Sequence, residues 1–172
     1  MYITVEMATS INGYIATKDG SEDFLSNRNY QIMIEFLKEY DCLVWGNTTF
    51  KNVKSWGKKY IDDLKNTLII VFSKTKQKNY DNVIFCTGLE EFNNVCQKKN
   101  LNKIFISGGA TINNIFLKNN LVDEIIINYN PYVLTEGIAL LKGEYLEKPL
   151  KLNYVKQEQQ DIVQISYKVI KN

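Results

Sequence analysis

The chain has 172 residues, of which 45% are hydrophobic and 23% charged, and its formal net charge is +2 at pH 7. This balance is typical of one ordinary globular domain spanning 1–172, and the small charge does not indicate nucleic-acid or membrane binding. The sequence contains no histidine, which excludes Ser-His-Asp triads, most zinc sites and the most frequent acid–base side chain, so we expect no metal site.

The three cysteines indicate a reducing compartment. Cys42, Cys86 and Cys96 are widely spaced in apolar segments, which favours reduced core residues of a cytoplasmic protein over a disulfide or redox role. The first residues, Met-Tyr-Ile-Thr-Val, have no basic region and predict a strand, not a signal peptide. No stretch approaches the length that spans a membrane.

Hydrophobic periodicity predicts alternating strands and helices. Residues 2–8 alternate as a strand, Asn12-Gly13 is a turn signal, and 28–40 have the spacing of an amphipathic helix. The later pattern predicts strands at 42–45, 67–72, 83–86, 103–106 and 122–129. Helices are predicted after Gly46, from the Thr87–Glu90 capping-box spacing to about Lys99, and over 110–119. Residues 150–156 and 162–170 are predicted to form a hairpin. We therefore predict an α/β fold with a mostly parallel sheet and an antiparallel C-terminal hairpin.

Three of the predicted strands end in small or hydroxyl residues. These ends are Gly46-Asn-Thr-Thr49, Ser73-Lys74 and Ser107-Gly-Gly-Ala-Thr111. Ligands of open α/β sheets bind at the carboxyl ends of strands, and paired glycines before a helix suit a phosphate. Each end alone also fits ordinary turn and cap chemistry, but together they favour a nucleotide site. The sequence has neither a Walker loop nor a G-x-G-x-x-G motif.

Four short motifs resemble one known family in the right order. Ala8-Thr-Ser-Ile-Asn-Gly-Tyr-Ile-Ala16 is similar to its "S-hydrophobic-D-G-x-I-A" motif, and Gly46-Asn-Thr-Thr49 to its G-R-x-T. Ser107-Gly-Gly109 with Leu121-Val-Asp-Glu124 resembles its "GG…LVDE" pair, and Pro131 with Gly137 its "P…G". Over nearly its whole length the chain resembles the dihydrofolate reductase-like superfamily, in the branch of the riboflavin-biosynthesis deaminase-reductase C-terminal (reductase) domain.

This resemblance implies a three-layer fold and an NADPH-dependent reductase that acts on a small pteridine- or pyrimidine-like heterocycle. It also implies a homodimer, for which the apolar C-terminal strands are the candidate interface. By motif position the cofactor residues would be Ala8 and Ile15 at the nicotinamide, Gly46, Thr48 and Thr49 at the pyrophosphate and adenosine side, Ser73 and Lys74 near the 2′-phosphate, and Gly108, Gly109, Ala110 and Thr111 around the pyrophosphate.

The departures from the family pattern concern the cofactor phosphate and the substrate. Asn12 stands where the family has Asp, and Asn47 replaces an Arg that grips the 2′-phosphate, which leaves Lys74 and Lys76 for that task. Folate reductases present a carboxylate from the first helix and an Arg before the third strand. In this chain the first helix has no acid before Glu35, and Lys65-Asn-Thr67 stands where folate reductases have the Arg. A genuine dihydrofolate reductase is thus a weaker alternative, as is a non-catalytic nucleotide-binding protein of the same fold.

Two carboxylates are the candidate catalytic residues. Strand alternation puts Glu6 on the same side as Ala8, the residue matched to the nicotinamide, so Glu6 is predicted to hydrogen-bond or protonate the acceptor. The alternative is a solvated or lysine-paired glutamate. Asp23 is a second, weaker candidate, and Arg28, the only arginine, is a candidate clamp for a substrate phosphate or carboxylate.

Overall fold

The computed structural model describes residues 1–171, which fold into a central sheet with helices on both faces. The elements in chain order are β1 (Tyr2–Ser10), β2 (Tyr14–Ala16), α1 (Asn27–Leu37), β3 (Cys42–Gly46), α2 (Asn47–Trp56), α3 (Lys58–Asp62), β4 (Leu68–Phe72), β5 (Val83–Cys86), α4 (Leu89–Lys99), β6 (Lys103–Ile106), α5 (Ala110–Lys118), β7 (Glu124–Asn130), β8 (Ile138–Ala139), β9 (Leu150–Gln157) and β10 (Val163–Val169).

The main sheet of the described chain has eight strands in the order β5-β4-β3-β6-β1-β7-β10-β9. The neighbouring strands β5, β4, β3, β6, β1 and β7 are all parallel, whereas β10 runs antiparallel to both β7 and β9. This arrangement confirms the predicted α/β fold with its antiparallel C-terminal hairpin, and it is the dihydrofolate reductase-like fold. It also places β1 at the centre of the sheet, between β6 and β7.

Each face of the sheet has its own apolar core. On one face Ile3 and Val5 of β1 pack with Phe92 of α4 and Phe116 of α5. On the other face the strands pack against α1 and α2, through side chains such as Met33, Leu37, Phe50 and Val53. Because side chains of β1 alternate between the two faces, Thr4, Glu6 and Ala8 point to the α1/α2 side, as the sequence alternation predicts.

The structure corrects several element boundaries. Strand β1 continues to Ser10, and α1 ends at Leu37 instead of residue 40. At the start of α4 the acid that binds the backbone N–H of Thr87 is Glu91, not the predicted Glu90. The short helix α3 and the two-stranded sheet of β2 and β8 have no counterpart in the prediction, because segments of two to five residues carry too little periodicity.

Gly137 explains how β8 can lie against β2. A Cβ atom at this position would lie 2.4 Å from the carbonyl oxygen of Ala16, so only glycine allows this approach. The contact brings the segment after β7 back to β2, whose residue Ile15 faces the cavity described below. Cys42, Cys86 and Cys96 are free and buried, as predicted. Within residues 1–171, no helix has the length and apolar character needed to cross a bilayer.

Candidate active site

A cavity of about 330 Å³ lies on the α1/α2 side of the sheet. Its walls come from β1, β2 and β3, the loop before α1, helices α1, α2 and α3, and the turn after β6. Apolar side chains such as Met33, Trp45 and Val53 form much of its lining, and all three are buried. A concave, mostly apolar space with a few polar groups is the usual form of a small-molecule site.

Glu6 is the polar group on the sheet side of this cavity. Its side chain is 3% exposed, and its position in a central strand excludes the solvated edge that the sequence left open. Burial raises the pKa of Glu6 to about 8, because desolvation disfavours the charged form. A carboxyl group with this pKa is mainly protonated at neutral pH and can donate a proton.

A chain of side-chain amides fixes the position of Glu6. Asn128 of β7 donates from Nδ2 to Glu6 Oε1, and its own Oδ1 accepts a bond of 2.8 Å from Gln164 Nε2. Tyr154 in turn donates its hydroxyl to Gln164 Oε1 at 2.9 Å. Because each amide has one donor end and one acceptor end, this sequence of bonds sets the orientation of both amides. Asn128 therefore presents a donor, and not an acceptor, to the carboxyl group.

The loop before α1 contributes two more carboxyl groups. Glu22 is half-buried and Asp23 is exposed at the cavity wall. Burial raises the pKa of Glu22 to about 7. The structure thus brings both predicted catalytic residues, Glu6 and Asp23, to one cavity, and it adds Glu22, which the sequence analysis did not select.

Three aromatic rings line the cavity on the helix side. Tyr60 of α3 meets Tyr30 of α1 edge to face at 4.7 Å between ring centroids, and meets Trp56 of α2 at 5.5 Å. The Tyr30 hydroxyl donates to Asp63 at 3.1 Å, which holds α1 and α3 together. Planar rings are a suitable surface for a flat heterocycle. This group could not be recognised in the sequence, because its members come from three helices.

The turn after β6 adjoins the cavity and joins two helix starts. Gly46 N donates to Gly108 O at 2.9 Å, so the residue before α2 is bound to the turn before α5. Gly108 has a φ of +82°, and a Cβ there would lie 3.0 Å from Met7 Sδ. A Cβ on Gly109 would lie 3.0 Å from Thr49 Oγ1. The glycines thus keep the backbone bare where the N-terminal N–H groups of two helices come together.

The three strand ends selected from the sequence lie side by side. Strands β4, β3 and β6 are neighbours and parallel, so the residues that follow them share one edge of the sheet. Ser73 is buried and its hydroxyl accepts a bond of 2.7 Å from Gln77, whose amide also reaches Asn47 Oδ1 at 3.4 Å. Lys74 and Lys76 are exposed beside them.

The predicted cofactor residues divide into two groups by position. Ala8, Ile15, Thr49 and Gly109 line the cavity itself. The others lie along the strand ends next to it: Gly46, Thr48, Ser73, Lys74, Gly108, Ala110 and Thr111. Thr48 and Thr111 are exposed in the first turns of α2 and α5.

Arg28 does not face the cavity. Its guanidinium donates to Glu35 at 2.6 Å and to Glu158 at 2.9 Å, and its side chain is 13% exposed. Both carboxylates form ion pairs with Arg28, so it is not free to bind a substrate phosphate.

Asn12 stabilises the turn after β1, because its amide donates to Leu134 O at 2.6 Å.

The family follows from a sequence comparison. Residues 1–164 match the model of the RibD C-terminal domain. The chain belongs to this family. Its match covers the cavity, the glycine turn and most of the C-terminal hairpin. A search of curated protein sequences found no significant match.

Solved structures of similar fold agree with this family. A protein from Shewanella sp. PV-4 named for riboflavin biosynthesis has a TM-score of 0.82 and 26% identity, covering 99% of this chain and 100% of that one. A pyrimidine reductase-like protein from Corynebacterium diphtheriae has a TM-score of 0.79 and 16% identity, over 99% and 92% of the two chains. A deaminase/5-amino-6-(5-phosphoribosylamino)uracil reductase from Thermotoga maritima has 0.74 and 14%, over 98% of this chain and 56% of that longer one.

Proposed function

We propose that this chain is an NADPH-dependent reductase that adds a hydride to a small pteridine- or pyrimidine-like heterocycle. Membership of the RibD C-terminal domain family supports a reductase of the riboflavin-pathway type. The observation that carries the proposal is the position of Glu6, a buried carboxyl group in a cavity that adjoins the glycine turn.

The residues around the glycine turn fit a dinucleotide. The bare backbone of Gly108 and Gly109 and the first turn of α5 would hold the pyrophosphate, because helix N-termini attract anions. Ala8 and Ile15 would border the nicotinamide, since both line the cavity. Ser73 with exposed Lys74 and Lys76 would bind the 2′-phosphate in place of the missing arginine.

Glu6 would be the proton donor of the reaction. Reduction of a C=N bond adds a hydride to carbon and a proton to nitrogen, and NADPH, when bound, supplies the hydride and becomes NADP⁺. Glu6 carries a proton at pH 7 because burial raises its pKa to about 8. Asn128 holds the carboxyl group in place, and the burial of Glu6 limits the access of bulk water to it.

The two alternatives have less support. A genuine dihydrofolate reductase would need an acid from α1, whose first turn has none. A non-catalytic binding protein would not need a buried carboxyl group inside the cavity, where an apolar residue would cost less free energy.

The proposal is tested in two steps. Addition of NADPH, and separately NADH, is expected to quench the fluorescence of Trp45 and Trp56, which line the cavity. NADPH oxidation with aminouracil and dihydrofolate acceptors then identifies the reaction. Glu6→Gln is expected to lower kcat by about 10²- to 10⁴-fold, the usual contribution of a general acid, and Glu90→Gln, at an exposed position of α4, is the control. Unchanged hydride transfer in Glu6→Gln over pH 5–8 would refute the role of Glu6.

We also propose a cytoplasmic homodimer. The edge strand β9 exposes Leu150, Leu152 and Val155, and β10 exposes Val163. An exposed apolar edge of this kind favours pairing with a second copy. Light scattering at micromolar concentration should give twice the chain mass of 20.0 kDa, and Val155→Lys should give the monomer mass.

A further inference from the structure

The first turn of helix α1 forms part of the cavity wall and is held differently from the rest of the helix. Asn29 and Tyr30 of this turn line the cavity. Further along α1, Met33 and Leu37 are buried in the apolar core. In the first turn the buried residue is Asn29, and Ser26 before it makes no side-chain cap bond to the helix. Polar bonds, and not apolar packing on the sheet, therefore decide where this turn lies.

Arg28 joins the first turn of α1 to the C-terminal hairpin. Its Nη2 donates to Glu158 Oε2 at 2.9 Å. Glu158 directly follows β9, and its backbone N–H donates to Ile162 O at 2.8 Å across the hairpin turn. The side chains of Arg28 and Glu158 are only 13% and 6% exposed, so solvent and salt screen this ion pair little. The bond thus connects the cavity wall to a segment that is distant in the chain.

Asn29, the next residue, connects the same turn to strand β7. Its Nδ2 donates to Asn130 Oδ1 at 2.7 Å, and both residues are buried. Asn130 in turn donates to the carbonyl oxygens of Thr9 at 3.2 Å and Asn128 at 3.0 Å. Two consecutive residues of α1 are thus bound to β7 and to the hairpin, and a shift of the turn along the sheet would break both bonds.

Glu35, the other partner of Arg28, lies in the same helix. It accepts two bonds from the guanidinium, at 2.6 and 3.1 Å, and its side chain is 56% exposed. This contact orients the guanidinium but connects α1 to no other element. Of the two carboxylates, Glu158 therefore carries the connection to the hairpin, and the pair of glutamates offers a matched comparison.

We propose that Arg28 is a positioning residue, through which the C-terminal hairpin holds the helix wall of the cavity in place and sets the affinity for the hydride acceptor. Arg28 does so without touching the acceptor, because it acts through Glu158 and the first turn of α1. The same hairpin also supports the sheet wall, where Gln164 binds Asn128 and Asn128 binds Glu6. The inference rests on the proposed reductase function and adds a control of its acceptor site.

Hydrogen–deuterium exchange tests the connection directly. Glu158→Ala and Glu35→Ala are compared with the wild type on the full chain, and helix α5, on the opposite face of the sheet, is the internal reference. We expect the amides of α1 to exchange about tenfold faster or more in Glu158→Ala, because removal of one partner of a buried ion pair favours local opening. Exchange in α5, and exchange of α1 in Glu35→Ala, should stay within about twofold of the wild type.

Steady-state kinetics test the effect on the acceptor site. The probe is 5-amino-6-(5-phosphoribosylamino)uracil, or dihydrofolate if that is the acceptor reduced. In Glu158→Ala the KM for the acceptor should rise about tenfold, because a displaced wall misplaces the acceptor. The KM for NADPH should stay within about twofold, since no residue assigned to the cofactor lies in α1. Glu35→Ala should resemble the wild type in both constants.

Two further variants separate the ion pair from general damage to the fold. Arg28→Lys keeps the charge but not the planar fork, so its acceptor KM should lie between those of the wild type and Glu158→Ala. The double variant Arg28→Ala/Glu158→Ala should be no worse than the more affected single variant, because both substitutions break one interaction.

Several results would overturn the inference. These are unchanged α1 exchange in Glu158→Ala, an equal change in Glu35→Ala, or faster exchange in α1 and α5 alike. Faster α1 exchange with an unchanged acceptor KM would also overturn it, because the ion pair would then serve stability alone. Failure of the reductase function would look different: the wild type would oxidise NADPH with neither acceptor, and the exchange comparison would still decide whether the hairpin holds α1.

Discussion

The two halves of the candidate site present different chemical groups. The strand-end half, formed by residues 46–49, 73–74 and 107–111, presents bare backbone, hydroxyls and helix starts. The cavity half presents carboxyl groups and aromatic rings that come from six separate elements or loops. A dinucleotide has fixed chemistry and can be held by backbone groups, whereas the substrate differs from one enzyme to another and is selected by side chains. Predictions that separate backbone from side-chain effects therefore test this division.

The largest loss of cofactor affinity is expected where a side chain would intrude on the strand-end half. Gly108→Val adds a branched side chain at φ +82°, next to Met7. The added side chain would meet Met7 and displace the turn proposed to hold the pyrophosphate, so NADPH affinity should fall by about ten- to 100-fold in a fluorescence titration.

Gly20→Val is the matched control for this substitution. Gly20 has a similar φ of +90°, and a Cβ there would have no atom within 4 Å. Its affinity for NADPH should stay at the wild-type value. An equal loss in both variants would mean that general destabilisation, and not the turn, causes the effect.

In the cavity half, the buried carboxyl group of Glu6 should make the stability of the protein depend on pH. The pKa of Glu6 is raised from 4.5 to about 8 in the folded protein, so the folded state keeps a proton that the unfolded state loses. From pH 4.5 to 8 the free energy of unfolding of the wild type should therefore fall relative to Glu6→Gln, by up to about 1.4 kcal/mol per pH unit. Urea unfolding of both proteins at pH 5, 6, 7, 8 and 9 measures this difference. A difference that is independent of pH would show that Glu6 is not protonated in the folded state.

A smaller effect is expected at Asn128, the residue that is hydrogen-bonded to Glu6. Asn128→Leu removes the donor that holds Oε1 of the protonated Glu6 carboxyl group, and a hydrogen bond between neutral groups contributes about 0.5–1.5 kcal/mol, so kcat should fall about two- to tenfold with little change in KM. The loss should also move the pH at which activity declines upward, because the lost bond favours the charged form. Gln164 donates a hydrogen bond to Asn128, so Gln164→Leu should lower kcat in the same way but by less. A change confined to KM would contradict a positioning role.

The smallest effect is expected for an exposed side chain in the strand-end half. Thr111→Ala keeps the backbone N–H groups of α5 and removes only a hydroxyl. NADPH affinity should fall by less than about fivefold, near the value of one ordinary hydrogen bond. A loss as large as that of Gly108→Val would show that side chains, and not backbone, hold the cofactor there.

The sequence predicted the strand-end half better than the cavity half for a physical reason. Glycines and hydroxyls at the end of a strand are contiguous in the chain, so Ser107-Gly-Gly109 can be recognised as a motif. Glu22 gave no such signal, because a loop carboxylate next to Asp23 is usually solvated. Asn128 could have been found only from the pairing of β7 with β1, where it lies beside Ala8.

The sequence by itself determined the alternation of strands and helices, the side of β1 on which Glu6 lies, and the residues at the three strand ends, because these depend on local periodicity and turn chemistry. Only the tertiary structure decided that Glu6 is buried in a cavity, that Arg28 is bound by two carboxylates, and that the cavity has acids without a basic residue among its described lining. Burial and charge balance depend on residues that are distant in the chain and meet only when the sheet and helices pack.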